Sequence, residues 1–460
     1  MGRSRLRRDG RDVERAAAST TVAGRRAPLG AIGRLASSGF WAVMDQGLFA
    51  GSNFVLNVLL ARWLGPAEYG VFGVAFAVFL FISTAHTAVV TEPLLVFGSG
   101  RHRTRLRSYV GAVVRGHWQL MVRAAFAFAP MALVVGLWFD PALGLAFGAL
   151  LVTAPVILLQ WLLRRTCYIT MRPRVAATAG LLYLVVTIAG ALGMRELGWL
   201  SAAGGMLVMG VASAVSSLAI LRHVRGLADE RPERRSAERL ASDLRREHWA
   251  YGRWGVAGVA LAWAGVEVYY LFLSVLHGYE AVGSLRAAMN LVAPAMQGFL
   301  ALSTVALPVF ATAARSGRIR RTVGRAYRGF VALALLFWLV LLVATEPLVS
   351  LLYGDTYLGI VPVVRIVAAV PLAVAVTRVA ASALHALERP REIFAGYAPG
   401  ALLACTVGLA ATWWAGVAGA AAGVLIANAG IAFAMSARLR SRLRDPGSPY
   451  ADAGGHAPPT

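Results

Sequence analysis

The sequence predicts an all-α polytopic membrane protein, with about twelve transmembrane helices in two pseudo-symmetric six-helix bundles. Three observations lead to this fold class. Of the 460 residues, 58% are hydrophobic and only 15% are charged, which is too apolar for a water-soluble domain. The apolar residues fall in runs of about 20, the length that spans a bilayer. A stretch of the first half also matches a stretch of the second half at a fixed offset, which predicts an internal repeat.

Twelve apolar runs follow one another along the chain and define the predicted spans. They lie at about 37–60, 70–97, 117–139, 142–163, 176–194, 199–221, 254–276, 283–311, 328–345, 360–385, 393–412 and 415–436. The predicted domains are a disordered basic tail (1–35), a first bundle (36–221), a linker (222–253), a second bundle (254–436) and a second tail (437–460). The first tail holds nine Arg and three acidic residues and can bury little. The linker mixes charges of both signs, so we expect it to be solvated.

Arginine placement predicts which side of the membrane holds the termini. An even number of spans puts both termini on one side, and most loop arginines lie there, including the clusters at 101–107 and 315–328. The opposite loops are expected to hold only Arg62, Arg195 and Arg286. Because cytoplasmic loops are enriched in basic residues, both termini are predicted to be cytoplasmic. The net charge of +23 is scattered among loops and not gathered on one surface, so no nucleic-acid partner is predicted.

The internal repeat has an offset of 213 residues. The matched pairs include Gly65 with Gly278, Gly70 with Gly283, Arg105 with Arg318, and Arg115 with Arg328. Each copy holds six helices, and because six is even, both copies cross the membrane in the same direction. "LGPAEYG" and "HGYEAVG" are therefore predicted to be equivalent outer turns, between helices 1 and 2 and between helices 7 and 8.

Residues 45–77, "DQGLFAGSNFVLNVLLARWLGPAEYGVFGVAFA", resemble the first helix pair of the bacterial polysaccharide-biosynthesis flippases. That family belongs to the multidrug/oligosaccharidyl-lipid/polysaccharide exporter superfamily. The resemblance implies V-shaped bundles around a central cavity, with alternating access by rocking. It also implies a multi-pass protein of the bacterial cytoplasmic (inner) membrane that flips undecaprenyl-pyrophosphate-linked oligosaccharide. A polysaccharide polymerase and glycosyltransferases would be its partners, and no cofactor is implied.

Polar side chains on two spans are candidates for contact with a sugar. Gln46, Asn53 and Asn57 are seven and eleven residues apart, which places them within roughly 40° of one another on helix 1. On helix 7, Tyr270 shares a face with Glu267. Amide and phenol groups suit sugar hydroxyls. A polar stripe on a membrane helix can equally bind a neighbouring helix, and that alternative stays open.

Charged residues inside the spans suggest a division of labour between phosphate binding and ion coupling. Ionisable groups are costly there and usually face a bundle interior or water. The candidates for binding lipid phosphates are Arg123, Arg365 and Arg378. The candidates for proton or sodium coupling are Asp45, Glu92 and Glu267. Asp45 and Glu92 lie near the cytoplasmic boundary, where pairing with arginines is the structural alternative. Arg365 and Arg378 point apart on a straight helix unless Pro371 bends it.

Three rival functions remain. A drug or organic-cation antiporter of the same fold would favour a carboxylate-rich cavity with few embedded arginines. A flippase for a lipid-linked cell-wall precursor more often has fourteen spans. A membrane glycosyltransferase or polysaccharide polymerase would display a sizeable outer loop with catalytic residues, whereas the predicted outer loops are short. Because no metal cluster, nucleotide-binding loop or nucleophile set is evident, we expect a transporter with no catalytic residues, metal or cofactor.

Overall fold

Residues 29–224 and 234–444 are described by the computed structural model, and helices form all of the regular secondary structure in these ranges. The first bundle contains α1 (Leu29–Leu64), α2 (Pro66–Ser99), α3 (Arg103–Phe139), α4 (Pro141–Ile169), α5 (Pro173–Glu196) and α6 (Ala202–Val224). The second contains α7a (Arg234–Ala264), α7b (Val268–Leu276), α8 (Gly278–Arg315), α9 (Ile319–Tyr353), α10 (Asp355–Ala386), α11 (Pro390–Leu403) and α12 (Leu409–Arg444). Most of both predicted tails, 1–28 and 445–460, lies outside the described residues.

Ten stretches of the described chain are long and apolar enough to cross a membrane, and two features reconcile that number with the twelve predicted spans. The stretch Pro390–Arg444 reverses direction at Gly416, where φ is 53°. Its two arms then pack antiparallel, with Gly400 against Ile431 and Gly396 against Met435. The predicted spans 393–412 and 415–436 are therefore separate neighbours. The remaining predicted span, 254–276, is divided between α7a and α7b and begins within a polar helix.

The turns before α2 and α8 confirm the repeat in three dimensions. Gly65 has a φ of 79° and Gly278 a φ of 78°, a left-handed conformation that favours glycine. One turn into each helix, the two bundles meet reciprocally. A Cβ atom at Gly70 would overlap the carbonyl oxygen of Tyr279, and a Cβ atom at Gly283 would overlap that of Pro66. Helices α2 and α8 thus cross about a local two-fold axis, in backbone contact that only glycine permits.

The apolar core shows where the bundles join and where they separate. One large cluster combines side chains of both bundles near this crossing, among them Phe72, Val282 and Val364. Toward the other end, the cores are distinct. One cluster, around Leu94 and Leu163, belongs to the first bundle with the start of α7a, and another belongs to the second bundle. The molecule is closed at the end predicted to face outside, and its bundles have separate cores at the end predicted to be cytoplasmic.

Part of the predicted linker is docked on the first bundle, which corrects the expectation that it is solvated. Residues 225–233 lie outside the described residues, but α7a follows them. Leu244 is buried in the core of the first bundle. The His248 ring contacts the Tyr109 hydroxyl at 2.9 Å, and Glu247 forms an ion pair with Arg101. The linker docks because its apolar and hydrogen-bonding side chains share one helix face.

Cysteine labelling tests the predicted orientation. In a chain with Cys167→Ala and Cys405→Ala, we expect Ala67→Cys to react with a membrane-impermeant maleimide added to intact cells. Thr104→Cys should react only after the membrane is permeabilised. Both positions are exposed, so a difference between them reports the side of the membrane. Labelling of Thr104→Cys in intact cells would reverse the topology.

Candidate functional site: a polar cluster between the bundles

A buried arginine lies where the two bundles meet. Arg286 was expected in an outer loop, and this prediction was wrong, because α8 begins at Gly278 and places Arg286 more than two turns inside the helix. Only 7% of the residue is exposed. Position 286 lies within the predicted span 283–311, and that apolar run is the sequence signal for its burial.

Arg286 is held by residues of three other helices. Its Nε donates a hydrogen bond to Asn57 Oδ1 on α1 at 3.2 Å, and the Tyr69 hydroxyl on α2 donates to the same oxygen at 3.0 Å. The guanidinium carbon lies 4.2 Å from the centre of the Phe76 ring and 5.8 Å from that of Tyr270 on α7b. Aromatic faces stabilise a desolvated cation. Helices 1, 2, 7 and 8 therefore converge on one positive charge.

The repeat explains how the interface makes room for this side chain. Position 73 is the counterpart of position 286, and it is glycine. A Cβ atom at Gly73 would lie 3.0 Å from Arg286 Cδ, closer than carbon atoms normally approach. One copy of the repeat supplies the arginine and the other supplies the space. The charge consequently lies close to the local two-fold axis.

Glu267 lies at the break between α7a and α7b. Its Oε2 atom is buried and has no hydrogen-bond partner among the described residues, and Arg286 is near enough to interact electrostatically. The indole nitrogen of Trp263 donates to the Ala77 carbonyl oxygen at 2.9 Å, which fixes α7a against α2 just before the break. We name Asn57, Tyr69, Glu267, Tyr270 and Arg286 the interface cluster.

The predicted stripe on α1 reaches the interface cluster at one end. Asn57 belongs to the cluster, and its amide nitrogen donates to the Asn53 carbonyl oxygen at 2.8 Å. Asn53 in turn donates to the Phe49 carbonyl oxygen at 3.1 Å. Gln46 and Asn53 are half-buried. The structure thus brings Asn57, Glu267 and Tyr270 together. Gln46 and Asn53 lie on α1 outside the interface cluster.

Asp45 is fully buried in an ion pair inside the first bundle. Arg164 donates to it from Nε at 3.2 Å and from Nη2 at 2.8 Å, and the Tyr168 hydroxyl donates at 2.5 Å. The guanidinium carbon of Arg164 lies 4.1 Å from the centre of the Phe49 ring. A bidentate pair with a third donor satisfies the carboxylate. These contacts favour the structural alternative for Asp45, with Arg164 as its partner.

The other predicted charges lie apart from the interface cluster. Glu92 is exposed, and its electrostatic partner is Arg165 on α4. Arg123 lines a separate cavity. Helix α10 is interrupted at Ala368–Ala369, just before Pro371. Arg365 lies before this break and is exposed, and Arg378 lies after it and is half-buried. Among the described residues, neither arginine forms a hydrogen bond or an ion pair with a member of the interface cluster. The roles of Glu92 in ion coupling and of the three arginines in phosphate binding stay predictions.

Comparison with known proteins places the architecture. No protein-family model matches the chain, and no curated protein sequence does. Solved structures match over most of its length. A multidrug resistance MATE family transporter of the MOP superfamily, in an inward-facing conformation, has 13% identity and a TM-score of 0.71 over 87% of this chain and 98% of that one. The chain has the fold of that transporter.

Two further solved structures match the chain over most of its length. The lipid II flippase MurJ, in an inward closed conformation, has a TM-score of 0.67 and 13% identity, covering 89% of this chain and 87% of that one. An outward-facing MATE family transporter has a TM-score of 0.62 and 14% identity, covering 88% and 96%. Both likenesses show the same fold as this chain.

Proposed function

We propose that the protein flips a lipid-linked oligosaccharide across a bacterial cytoplasmic membrane by alternating access. The observation that carries the proposal is the buried Arg286 at the junction of the two bundles, with Asn57 and Tyr69 bonded around it. The guanidinium group of arginine has five N–H donors in a fork that fits phosphate oxygens. Asn57 accepts from one of these donors in Arg286, so others can bind a phosphate. Amide and phenol groups beside it suit sugar hydroxyls. An undecaprenyl-pyrophosphate-linked oligosaccharide presents both kinds of group.

The two bundles supply the moving parts of this mechanism. They share one apolar core at the end predicted to face outside and have separate cores at the other end. Rocking of one bundle against the other would separate Gly70 from Tyr279 at the crossing of α2 and α8 and open that end. The interface cluster lies on the four helices that such a motion rearranges. Cargo bound there would be exposed first to one side and then to the other.

Glu267 is the coupling residue in this proposal. A buried carboxylate oxygen without a hydrogen-bond partner is costly when ionised, so proton binding or a sodium ion would stabilise it. Its position at the break of helix 7 places that event where α7a, docked on the first bundle, meets α7b. Neutralising Glu267 would also change the electrostatic environment of Arg286. Cargo binding and ion binding would thereby be linked through adjacent charges.

A drug or organic-cation antiporter of the same fold is the second candidate function. The observation that favours it is again Glu267, because a buried carboxylate suits a cationic drug. Arg286, which is electrostatically coupled to the same carboxylate, opposes a cationic cargo and favours an anionic one. The flippase proposal therefore takes precedence.

Gene deletion separates these functions. In the bacterium that carries the gene, we expect deletion to abolish a surface or secreted polysaccharide while lipid-linked units accumulate in the cytoplasmic leaflet. The unchanged gene should restore the polysaccharide. Unaltered polysaccharide together with increased sensitivity to cationic dyes would support the antiporter. Loss of lipid-linked unit synthesis would indicate an enzyme such as a glycosyltransferase.

A further inference from the structure

A polar cavity, the lateral cavity, lies away from the interface cluster. It has a volume of about 600 Å³, is partly open to its surroundings, and is bordered by α2, α3 and the middle of α7a. Among the described residues, none from α1 or α8 lines it, so it is separate from the junction of the bundles. Trp249, at one wall, is 18 positions before Glu267, or roughly 25 Å along a helix.

Three arginines give this lateral cavity its charge. Arg115, Gln119 and Arg123 follow one another at intervals of four on one face of α3, and Arg245 faces them from α7a. Arg245 Nη1 donates to Gln119 Oε1 at 3.1 Å, which ties the two walls together. No Asp or Glu lines the cavity in the described part of the chain. The arginines therefore converge on a space that has no carboxylate to neutralise them.

The two histidines of the lateral cavity already use their ring nitrogens. His117 Nε2 lies 3.0 Å from the Pro155 carbonyl oxygen, which can only accept, so that nitrogen donates. In the neutral ring, His117 Nδ1 then accepts from His86 Nε2 at 2.9 Å. His248 bonds the Tyr109 hydroxyl at 2.9 Å and a backbone carbonyl of α2 at 3.2 Å. The histidines are consequently not free to donate to a ligand, and the charged donors of the cavity are its arginines.

The remaining walls and the surroundings are apolar. Val90, Val113 and Leu120 line the cavity, and the adjoining surface of α3 exposes Val122 and Phe126. Exposed apolar residues on a membrane span face lipid tails. Arg115 lies just before the predicted span 117–139 and Arg123 within its first two turns, where lipid head groups are expected. The cavity is thus amphipathic and lies beside the bilayer.

We propose that the lateral cavity binds the phosphate group of a membrane lipid from the leaflet predicted to be cytoplasmic. Arg115 and Arg123 would donate charge-assisted hydrogen bonds to the phosphate oxygens, with Arg245 closing the site from α7a. The acyl or isoprenoid chain would lie along the exposed face of α3. The site goes beyond the proposed function, because a lipid can bind here whether or not it is later transported.

Lipid binding to the purified full chain in a neutral detergent tests the site. The probes are short-chain phosphatidylglycerol, undecaprenyl phosphate and inorganic pyrophosphate, each titrated to obtain a dissociation constant. We expect the double variant Arg115→Gln/Arg123→Gln to bind both lipids about tenfold more weakly or worse. The matched control is Arg325→Gln/Arg328→Gln on α9, which removes two exposed arginines, one of them the repeat counterpart of Arg115. It should bind like the parent.

The outcomes decide both the site and its source of phosphate. Tighter binding of undecaprenyl phosphate than of phosphatidylglycerol would support a carrier lipid, and equal binding would support bulk anionic lipid. Inorganic pyrophosphate binding as tightly as either lipid would overturn the assignment to a lipid. Unchanged affinity in the double variant, or an equal loss in the control, would overturn the site. If the double variant does not fold, Arg123→Gln alone applies the same test against Arg328→Gln.

Discussion

Gly70→Ala is expected to hold the bundles apart at the end where they now touch and to abolish export. The added Cβ atom would overlap the Tyr279 carbonyl oxygen. Backbone atoms cannot rotate away as a side chain can, so the helices must separate. Alanine in a helix interior is otherwise favoured over glycine by about 0.5–1 kcal/mol, so the chain should still fold. The repeat predicts the same result for Gly283→Ala, because its Cβ atom would meet Pro66.

A buried cysteine reports this separation. Val282 is fully buried and lies beside Gly73 across the interface. In a chain without Cys167 and Cys405, Val282→Cys should react slowly with an impermeant maleimide added from outside, and Gly70→Ala should increase the rate.

The control for this experiment is Gly298→Ala, on the same helix as Val282 and Gly283. An added Cβ atom there would meet nothing within 4 Å. It should label and export like the parent. If Gly70→Ala also behaves like the parent in both assays, closure at this crossing is not part of transport.

Arg286→Met is expected to lower stability and stop export. The change removes one of the two donors to Asn57 Oδ1, leaving the Tyr69 hydroxyl, and leaves the buried Oε2 atom of Glu267 without Arg286 as its electrostatic partner. A hydrogen bond to a charged group contributes about 1.5–3 kcal/mol, so the melting temperature in detergent should fall measurably. Arg325→Met, at an exposed position on α9, should stay within about 0.5 kcal/mol of the parent.

The partner variant Glu267→Gln separates coupling from folding. The amide keeps the size of the carboxylate but cannot titrate, so export should fall and lose its dependence on external pH. In the double variant Arg286→Met/Glu267→Gln, part of the stability lost by Arg286→Met should return, because no buried carboxylate remains, while export should not. Additive stability losses would show that the two residues are not coupled. Export by Glu267→Gln at the parental level at every pH, from equal amounts of protein, would make Glu267 structural.

Much of the fold could be predicted from the sequence. In lipid, every backbone polar group must be bonded within its own helix, so the length of an apolar run determines where a span lies. The repeat followed from glycines and arginines at one offset, and the positive φ angles of Gly65 and Gly278 show why glycine is retained at both turns.

The sequence predicts only part of the candidate site. Asn57, Glu267 and Tyr270 were chosen as polar residues on an otherwise apolar face, and the structure brings them together. Arg286 was assigned to a loop, because the arginine pattern alone does not distinguish a residue just outside a span from one two turns inside it. Arg123 stays a prediction for phosphate binding, and it lines the lateral cavity and does not belong to the interface cluster.

The helical class, the spans and the repeat follow from the sequence alone, since they depend on local run length and on residue types at fixed spacing. Three-dimensional packing sets which helices meet, pairs Asp45 with Arg164, and lets Gly73 make room for Arg286. Those contacts join residues more than 100 positions apart. They depend on how closely two backbones can approach, which is set by the packing of every side chain between them.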